Sequence, residues 1–313
     1  MKALLLEGER RLSLSDIDTP DTAADEVLID VEVASIGGSE YLAYNNPGMR
    51  SLPNVMGHGI AGTDPGGRRV AVFPLQSCGN CDDCLRGECQ LCNDWALIGV
   101  QSDGGFAQKV VVPAKALVEL PDHLGWEQAA FVEPFANAVN AWERSGADRD
   151  TRVAIVGAGG LGMGLVACAA ESGCVAVAVS DLSSSRLRAA AELGAGAAET
   201  HLAGTYDVVF DTVGSAAARQ TAVALTRKGG TCVLLGFASP VLEVDAGELI
   251  RSQKRIVGSF VYSKQQFVRA IGLAARCSAE WVTNLSFSEV EPLLAGYLDG
   301  NFSVVKAVLR PNR

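Results

Sequence analysis

The sequence predicts an α/β protein of two domains, one of them β-rich and the other built on a doubly wound parallel sheet. Three observations predict it: the length of 313 residues, a first part with short alternating strands, and a second part in which strands and helices alternate. Because a chain of this length exceeds the usual size of one hydrophobic core, each domain can bury its own.

The β-rich domain is predicted from short apolar segments that Gly-rich turns separate. Apolar residues alternate over residues 27–33, and further strands are predicted at 70–73 and 110–112. The chain also ends on a β-like segment, residues 304–309, which could rejoin this domain.

The second domain is predicted from strands and helices in strict alternation. An Ala-rich helix (133–142) precedes a buried strand (153–156), and the later units are a helix (161–172), a strand (175–179), a helix (186–193) and strands at 208–210 and 233–235. This order is typical of a doubly wound sheet whose parallel strands are covered by helices.

The composition narrows the possible partners. Hydrophobic residues make up 48% of the chain, charged residues 20%, and the formal net charge is −10. Such a charge opposes contact with phosphate backbones, so we expect no nucleic-acid partner. No apolar run reaches the eighteen or so residues of a membrane span, and the first segment, MKALLLEGERRL, meets charges before a signal-peptide core could form. We therefore expect a cytoplasmic protein without membrane contact.

A glycine motif for dinucleotide binding follows the strand at 153–156 and precedes a helical segment. The pattern G-x-G-x-x-G is formed by Gly157, Ala158, Gly159, Gly160, Leu161 and Gly162. Glycine permits a tight turn and close approach of the backbone to a pyrophosphate, while the helix offers unpaired N–H groups. The alternative is that these glycines only make a strand-to-helix turn.

The predicted cofactor is NAD, with NADP the weaker alternative. Asp181 ends the next predicted strand, about twenty residues after the motif, where a carboxylate accepts from both ribose hydroxyls of the adenosine half. A carboxylate there would repel a 2′-phosphate. Arg186, at the start of the following predicted helix, completes the predicted cofactor-binding set.

Four cysteines have the spacing of a structural zinc site. Cys78, Cys81, Cys84 and Cys92 follow the pattern C-x-x-C-x-x-C and then, after seven residues, a further Cys. Four thiolates can close tetrahedrally around Zn²⁺ and leave no position open for chemistry. An iron–sulfur cluster and a reactive C-x-x-C pair are the alternatives. The remaining cysteines are interpreted as a spectator, Cys89, and as small core residues, namely Cys168, Cys174, Cys232 and Cys277.

With these motifs the chain resembles the zinc-dependent alcohol and polyol dehydrogenases of the medium-chain dehydrogenase/reductase family over essentially its full length. The matching segments are Gly38-Ser39, Gly57-His58, the cysteine loop, Asp103-Gly104-Gly105-Phe106-Ala107, Glu133-Pro134, the glycine motif with Asp181, and Lys306-Ala307-Val308-Leu309. The resemblance implies a GroES-like catalytic domain (1–125 and 283–313), a Rossmann NAD-binding domain (126–282), and a homodimer or homotetramer.

The resemblance also implies a catalytic zinc, whose ligands this sequence supplies incompletely. The family places a Cys before Gly-Ser, a His in Gly-His-Glu, and a Glu in Glu-Pro. This chain has Gly37, His58 followed by Gly59, and Glu133, while Leu42 stands where a proton-relaying His is common. A catalytic zinc is therefore doubtful, although Glu40 could replace the missing ligand instead of serving the structural role of the family's acidic residue.

Four residues are the catalytic candidates by resemblance: Ser39, His58, Glu133 and Asn137. A Ser39 hydroxyl or a His58 imidazole could donate a proton, and only His58 has a usual pKa near neutrality. The alternatives are that His58 is merely packed and hydrogen-bonded, and that Glu133 only complements a helix dipole. His123 and His201 fall in predicted loops and are interpreted as surface residues.

The leading functional hypothesis is hydride transfer between NAD(H) and a small alcohol or polyol, or the reverse reduction of a carbonyl. A second hypothesis keeps the cofactor but reduces a C=N or C=C bond without catalytic zinc. A third is a non-catalytic NAD(H)-binding protein, which would bind the nucleotide without turnover.

Overall fold

The computed structural model describes residues 1–313, which form two compact units. The first unit comprises Met1–Glu133 and Ser263–Arg313, and the second Pro134–Tyr262. The sequence places the second boundary at 282/283 instead of 262/263. The difference has a packing cause: the Gln128 amide donates to the carbonyls of Ala275 and Cys277, and the rings of Phe73 and Phe267 meet edge to face. These contacts attach the segment after residue 262 to the first unit.

The strands are, in chain order, β1 (Lys2–Gly8), β2 (Arg11–Asp16), β3 (Glu26–Ile36), β4 (Asn54–Val55), β5 (Ile60–Thr63), β6 (Arg69–Val72), β7 (Leu75–Gln76), β8 (Ala96–Leu97), β9 (Lys109–Pro113), β10 (Leu117–Glu119), β11 (Val153–Val156), β12 (Val177–Ser180), β13 (Ala197–Glu199), β14 (Tyr206–Asp211), β15 (Thr226–Leu234), β16 (Arg255–Gly258), β17 (Val282–Leu285) and β18 (Lys306–Leu309).

The α-helices are α1 (Gly38–Asn45), α2 (Asp82–Leu85), α3 (Trp126–Ala129), α4 (Val132–Ser145), α5 (Gly160–Glu171), α6 (Ser184–Leu193), α7 (Ala216–Leu225), α8 (Ala246–Ser252), α9 (Lys264–Ala274) and α10 (Phe287–Leu298). Short 3₁₀ turns occupy Cys89–Leu91, Ala114–Ala116 and Ala279–Trp281. None of the helices is both long and apolar enough to cross a membrane.

The first unit is organised around a seven-stranded sheet. Its strand order is β10-β6-β5-β3-β18-β17, and β9 also pairs with β3. The C-terminal strand β18 runs antiparallel to β3, with Ala307 opposite Ile36, so the predicted return of the chain end to the first domain is confirmed. The buried face packs large apolar side chains, among them Leu6, Met56 and Phe106. The prediction of a β-rich domain is likewise confirmed.

The second unit contains a six-stranded sheet in which every pair is parallel. The order β13-β12-β11-β14-β15-β16 is that of a doubly wound dinucleotide-binding fold, as predicted. Strands β11 and β12 are buried along their whole length, which explains their nearly uninterrupted apolar sequences. The chain changes winding direction between β11 and β14, and the carboxyl ends of these strands form the edge where such folds bind ligands.

Some element boundaries differ from the sequence prediction. Strand β12 begins at Val177, and Val175 is 82% exposed; β18 begins at Lys306 instead of residue 304. Strands β13 and β16 were not predicted, because they are only three and four residues long and each has two apolar residues beside one charged residue. Short strands like these are defined by pairing with neighbours, which local periodicity does not reveal.

Candidate functional site

The glycine motif forms the turn between β11 and α5. Gly157 has φ +100°, and a Cβ atom there would lie 2.5 Å from the Thr212 Oγ1. A Cβ atom on Gly162 would lie 1.9 Å from the carbonyl oxygen of Gly157. Helix α5 begins directly after Gly159, so its first N–H groups point out of the turn. The turn therefore requires glycine at two positions and leaves donors for an anionic ligand.

Asp181 lies directly after β12 and is tied to the glycine turn. Its Oδ2 accepts the N–H of Ala158 at 2.7 Å, and its Oδ1 accepts the N–H of Ser183 at 2.8 Å. A carboxylate offers about four acceptor positions, so two remain for ribose hydroxyls. Arg186 lies in the first turn of α6, where its N–H approaches the Ser183 hydroxyl at 3.5 Å.

The four predicted zinc ligands lie together in the first unit. The Sγ atoms of Cys78, Cys81, Cys84 and Cys92 are all within 4.8 Å of one another, with 3.9 Å between Cys78 and Cys84 and 3.5 Å between Cys78 and Cys92. A tetrahedral Zn–S₄ site with bonds of about 2.3 Å has sulfur–sulfur distances of about 3.8 Å. The arrangement therefore fits a four-coordinate metal.

Backbone donors support the thiolate form of Cys78; at Cys81 and Cys92 the backbone donors are outweighed by burial and the neighbouring thiols, which raise the pKa. The N–H of Cys81 donates to the Cys78 sulfur at 3.3 Å. The backbone N–H groups of Asn80 and Cys81 lower the pKa of Cys78. A thiolate is the form in which cysteine binds metals, so these bonds favour metal binding. Cys89 lies outside the cluster, and the four remaining cysteines are buried.

His58 lies between two carboxylates in the first unit. It occupies the segment between β4 and β5, and its Nδ1 is 2.8 Å from the Oε1 of Glu40. Its Nε2 is 3.5 Å from the Oε2 of Glu133, which lies in the first turn of α4. The contact with Glu40 is an ion pair without aligned hydrogen-bond geometry. The imidazole is only 13% exposed, so both pairs are largely shielded from solvent.

Glu40 is held in place by the start of α1. Its Oε2 accepts the Gly37 N–H at 2.9 Å and the Ser39 hydroxyl at 3.1 Å. Glu40 is thus the residue of a capping box that closes the first turn, while its other oxygen faces His58. The side chain is 2% exposed. The structural role of Glu40 and its contact with the imidazole therefore coexist.

The two buried partners shift each other's protonation. Burial lowers the pKa of His58, but the charges of Glu40 and Glu133 outweigh it and raise the pKa to about 10. Burial raises the pKa of Glu40, but the positive charges of His58 and Arg50 and the Gly37 N–H lower it to about 2. Both pKa shifts favour a charged imidazole ring beside an ionised Glu40.

The structure brings three of the four catalytic candidates into this site. Ser39, His58 and Glu133 belong to it, whereas Asn137 lies in the second unit, four residues after Glu133 on α4. Sequence reasoning missed Arg50, a half-buried cation close enough to lower the pKa of Glu40. Its loop position carries no motif that could have identified it. His123 and His201 are exposed, as expected of surface residues.

The two glycines that replace family residues differ in the space around them. A Cβ atom on Gly37 would meet nothing nearer than the Glu40 carboxylate, at 3.7 Å. A Cβ atom on Gly59 would lie 2.7 Å from the Ser35 Cβ and 3.3 Å from the Glu133 Cβ. A side chain therefore fits at position 37 but not at position 59.

Comparison with known proteins shows similarity to zinc-binding alcohol dehydrogenases over most of the chain. The family model for an alcohol dehydrogenase GroES-like domain matches residues 23–122, and that for a zinc-binding dehydrogenase matches residues 160–276. Sorbitol dehydrogenase of Bacillus subtilis is 31% identical over 76% of this chain and 76% of its own length.

Two solved structures are each similar to this chain at 27% identity, over 99% of this chain and 99% of the other. One is an Escherichia coli CFT073 protein described as a short chain alcohol dehydrogenase, in complex with NADH, with a TM-score of 0.87. The other, from Sinorhizobium meliloti, is described as a zinc-binding dehydrogenase bound to NADP and has a TM-score of 0.89.

Proposed function

Because this chain belongs to the family of zinc-binding alcohol dehydrogenases, we propose that it transfers hydride between NAD(H) and a small alcohol or polyol, or the corresponding carbonyl. The observation that carries this proposal is the glycine turn after β11 with Asp181 bonded to it. The sorbitol dehydrogenase named above supports a polyhydroxylated substrate.

NAD is the proposed cofactor, although one similar structure contains NADP. The carboxylate of Asp181 stands at the position that meets the adenosine ribose, and its remaining acceptor sites suit two hydroxyls. A 2′-phosphate would bring a second negative charge to the same place.

Replacing Asp181 by alanine is expected to weaken NADH binding about tenfold, the loss of about 1.4 kcal/mol that charge-assisted ribose bonds supply. NADPH binding should weaken less, so the ratio of the two dissociation constants falls. Fluorescence titration of both nucleotides measures it. The exposed Asp150→Asn variant serves as control, and an unchanged NADH/NADPH ratio for Asp181→Ala would refute the assignment.

We assign the cysteine cluster a structural zinc, because its four sulfur atoms lie within 4.8 Å of one another and could occupy all four positions of a tetrahedral ion, leaving none for substrate. The zinc would fix the loop between β7 and β8.

The residues around His58 do not fit a second, catalytic zinc. Gly37 has no side chain to donate, so His58 Nε2 and Glu133 Oε2, 3.5 Å apart, are the two ligand atoms left where a catalytic zinc usually takes three. The four cysteines are the group in the structure with three or more ligand atoms close enough for one ion.

The residues of the chain then supply the proton chemistry. When bound, the nicotinamide supplies or accepts the hydride. Glu40 holds His58 at Nδ1, and the proton on Nε2 can pass to the oxygen of a carbonyl that is being reduced. After carbonyl reduction the ring regains its proton from solvent, which the carboxylate of Glu133 favours. In alcohol oxidation the neutral form of His58 accepts the hydroxyl proton and then releases it to solvent.

One observation favours a second candidate function, the reduction of a C=N or C=C bond. A charged His58 without a metal suits a substrate that is already electrophilic and needs only a proton. Turnover of imines and enones but not of alcohols or aldehydes would favour it.

Metal content tests the zinc assignments. We expect about one zinc per chain, unchanged in a His58→Ala, Glu133→Ala double variant and lost in Cys81→Ser. Gly37→Cys, for which the structure has room, should raise the content toward two. Elemental analysis of the purified proteins measures all four. Two zincs in the wild type, falling to one in the double variant, would instead place a catalytic zinc at His58.

Turnover tests the activity itself. Initial rates with NAD(H) over a panel of alcohols, polyols, aldehydes, imines and enones should show hydride transfer from alcohols or polyols to NAD, or from NADH to the carbonyl compounds. Nucleotide binding without turnover of any member would mean a non-catalytic NAD(H)-binding protein.

We further propose that the protein is a homodimer or homotetramer in the cytoplasm. Strand β16 ends the parallel sheet and has one free edge, which another copy could extend. All nine cysteines are free of disulfides, which suits a reducing compartment. Light scattering of the purified protein measures the assembly.

A further inference from the structure

The loops that follow β14 and β15 share one anchor, Asp211. This last residue of β14 is fully buried, and its Oδ1 accepts the N–H groups of Val213 at 3.0 Å and Gly214 at 2.8 Å. Its main-chain oxygen accepts the N–H groups of Leu235 and Gly236, at 2.9 and 3.0 Å. Asp211 therefore fixes the first residues of both loops.

Arg219, on the first turn of α7, holds the second of these loops from inside. Its Nη1 donates to the carbonyl of Val241 at 2.7 Å and its Nη2 to that of Gly236 at 3.0 Å. Its Nε is 3.7 Å from the Oδ2 of Asp211, a charge contact without a hydrogen bond. Because a guanidinium is planar and rigid, these contacts fix both ends of the segment 236–241 at once.

The two loops touch backbone to backbone. Gly214 has φ +79°, and a Cβ atom there would lie 2.1 Å from the carbonyl carbon of Gly236. The N–H of Ser239 donates to the Gly214 oxygen at 2.9 Å. The first loop in turn reaches the glycine turn, since the Thr212 hydroxyl donates to the Gly157 oxygen at 3.1 Å. A shift of the segment 236–241 would therefore be transmitted toward the nucleotide site.

The position of these loops identifies the part of the ligand that they face. Asp181, after β12, marks the adenosine half, and in this strand order the other mononucleotide half lies over β14–β16. Two large apolar side chains are exposed here, Phe237 at 65% and Val213 at 42%. The flat face of a ring such as that of nicotinamide can pack against side chains of this kind.

We propose that Arg219 is a positioning residue for the nicotinamide half of the dinucleotide. By binding the carbonyls of Gly236 and Val241, it holds the segment 236–241 in the conformation that receives this half. The inference rests on the proposed function only in taking NAD(H) as the ligand.

The test compares two nucleotides that share the adenosine half. Dissociation constants for NADH and for ADP-ribose, which lacks nicotinamide, are measured by calorimetry on the full chain. We expect Arg219→Met to bind NADH about tenfold more weakly and ADP-ribose within twofold of wild type. Arg219→Lys, which can reach only one carbonyl, should bind NADH about threefold more weakly.

Arg227→Met is the matched control. Arg227 pairs with Asp207 at the amino end of the same sheet, so its loss should leave both dissociation constants unchanged. Equal weakening of both ligands by Arg219→Met, or no weakening of NADH, would overturn the inference. If Arg219→Met does not fold, the same comparison on Arg219→Lys decides.

The inference and the proposed function fail separately. If the protein turns over no substrate of the panel, the proposed activity is wrong. If its NADH binding still depends on Arg219, the inference nevertheless stands. If the protein turns over a substrate with NADH but its NADH affinity is unchanged in Arg219→Met, the inference is wrong and the proposed activity stands. A wild type that binds neither nucleotide would overturn both.

Discussion

Replacing Gly162 by valine is expected to weaken NADH binding at least a hundredfold. The Cβ atom would lie 1.9 Å from the Gly157 oxygen and 2.9 Å from its carbonyl carbon, both of them backbone atoms of the turn. Backbone cannot yield as a flexible side chain does, so the turn must open and its N–H groups lose their orientation toward the pyrophosphate. Fluorescence titration of NADH measures the effect.

Gly272→Val is the matched control for this variant. Gly272 also lies inside a helix, α9, but nothing stands within 4 Å of its Cβ position. Because valine is a slightly better helix former than glycine and the position is open, the substitution should leave stability unchanged or raise it by roughly a few tenths of a kcal/mol, with NADH affinity unchanged. Near-normal affinity in Gly162→Val would show that the turn does not bind the pyrophosphate.

Replacing His58 by alanine is expected to lower kcat for carbonyl reduction by about a hundredfold to ten-thousandfold, the usual range for the loss of a general acid. NADH affinity should change little, because the glycine turn and Asp181 lie in the other unit. Single-turnover rates, which isolate the chemical step, measure the effect. The exposed His123→Ala variant is the control, and a rate within fivefold of wild type for His58→Ala would remove His58 from the mechanism.

The pH dependence gives an independent test of the same residue. Since the pKa of His58 is raised to about 10, the ring stays protonated through neutral pH, and the reduction rate should fall only as the pH approaches 10. This limb should vanish in His58→Ala. A wild-type limb near 6.5, the ordinary histidine value, would contradict the charged arrangement.

The same pKa shift affects stability. The folded-state pKa lies above the unfolded value of about 6.5, so the stabilisation from the charged ring is fully present below that pH and is lost as the pH rises toward 10. Urea unfolding at pH 6 and at pH 9.5 should show a larger loss of stability for the wild type than for His58→Ala.

Features that are local in the sequence were determined by the sequence alone. The parallel sheet follows from apolar strands alternating with helices, and the glycine turn from a short motif in its strand-to-helix context. The cysteine cluster is equally local, because Cys78, Cys81, Cys84 and Cys92 fall within one loop whose spacing already places four thiols close together. In each case the interacting groups are near neighbours along the chain, so spacing carries the geometry.

Contacts between distant segments were decided only by the tertiary structure. The sequence left Glu40 either a metal ligand or a structural residue, and the fold shows it closing the first turn of α1 while facing His58. The pairing of Arg219 with the carbonyls of Gly236 and Val241 likewise has no signal in the sequence. The physical reason is that burial and charge pairing depend on which segments pack together. The partners are many residues apart along the chain, so their spacing in the sequence does not give the distance between them.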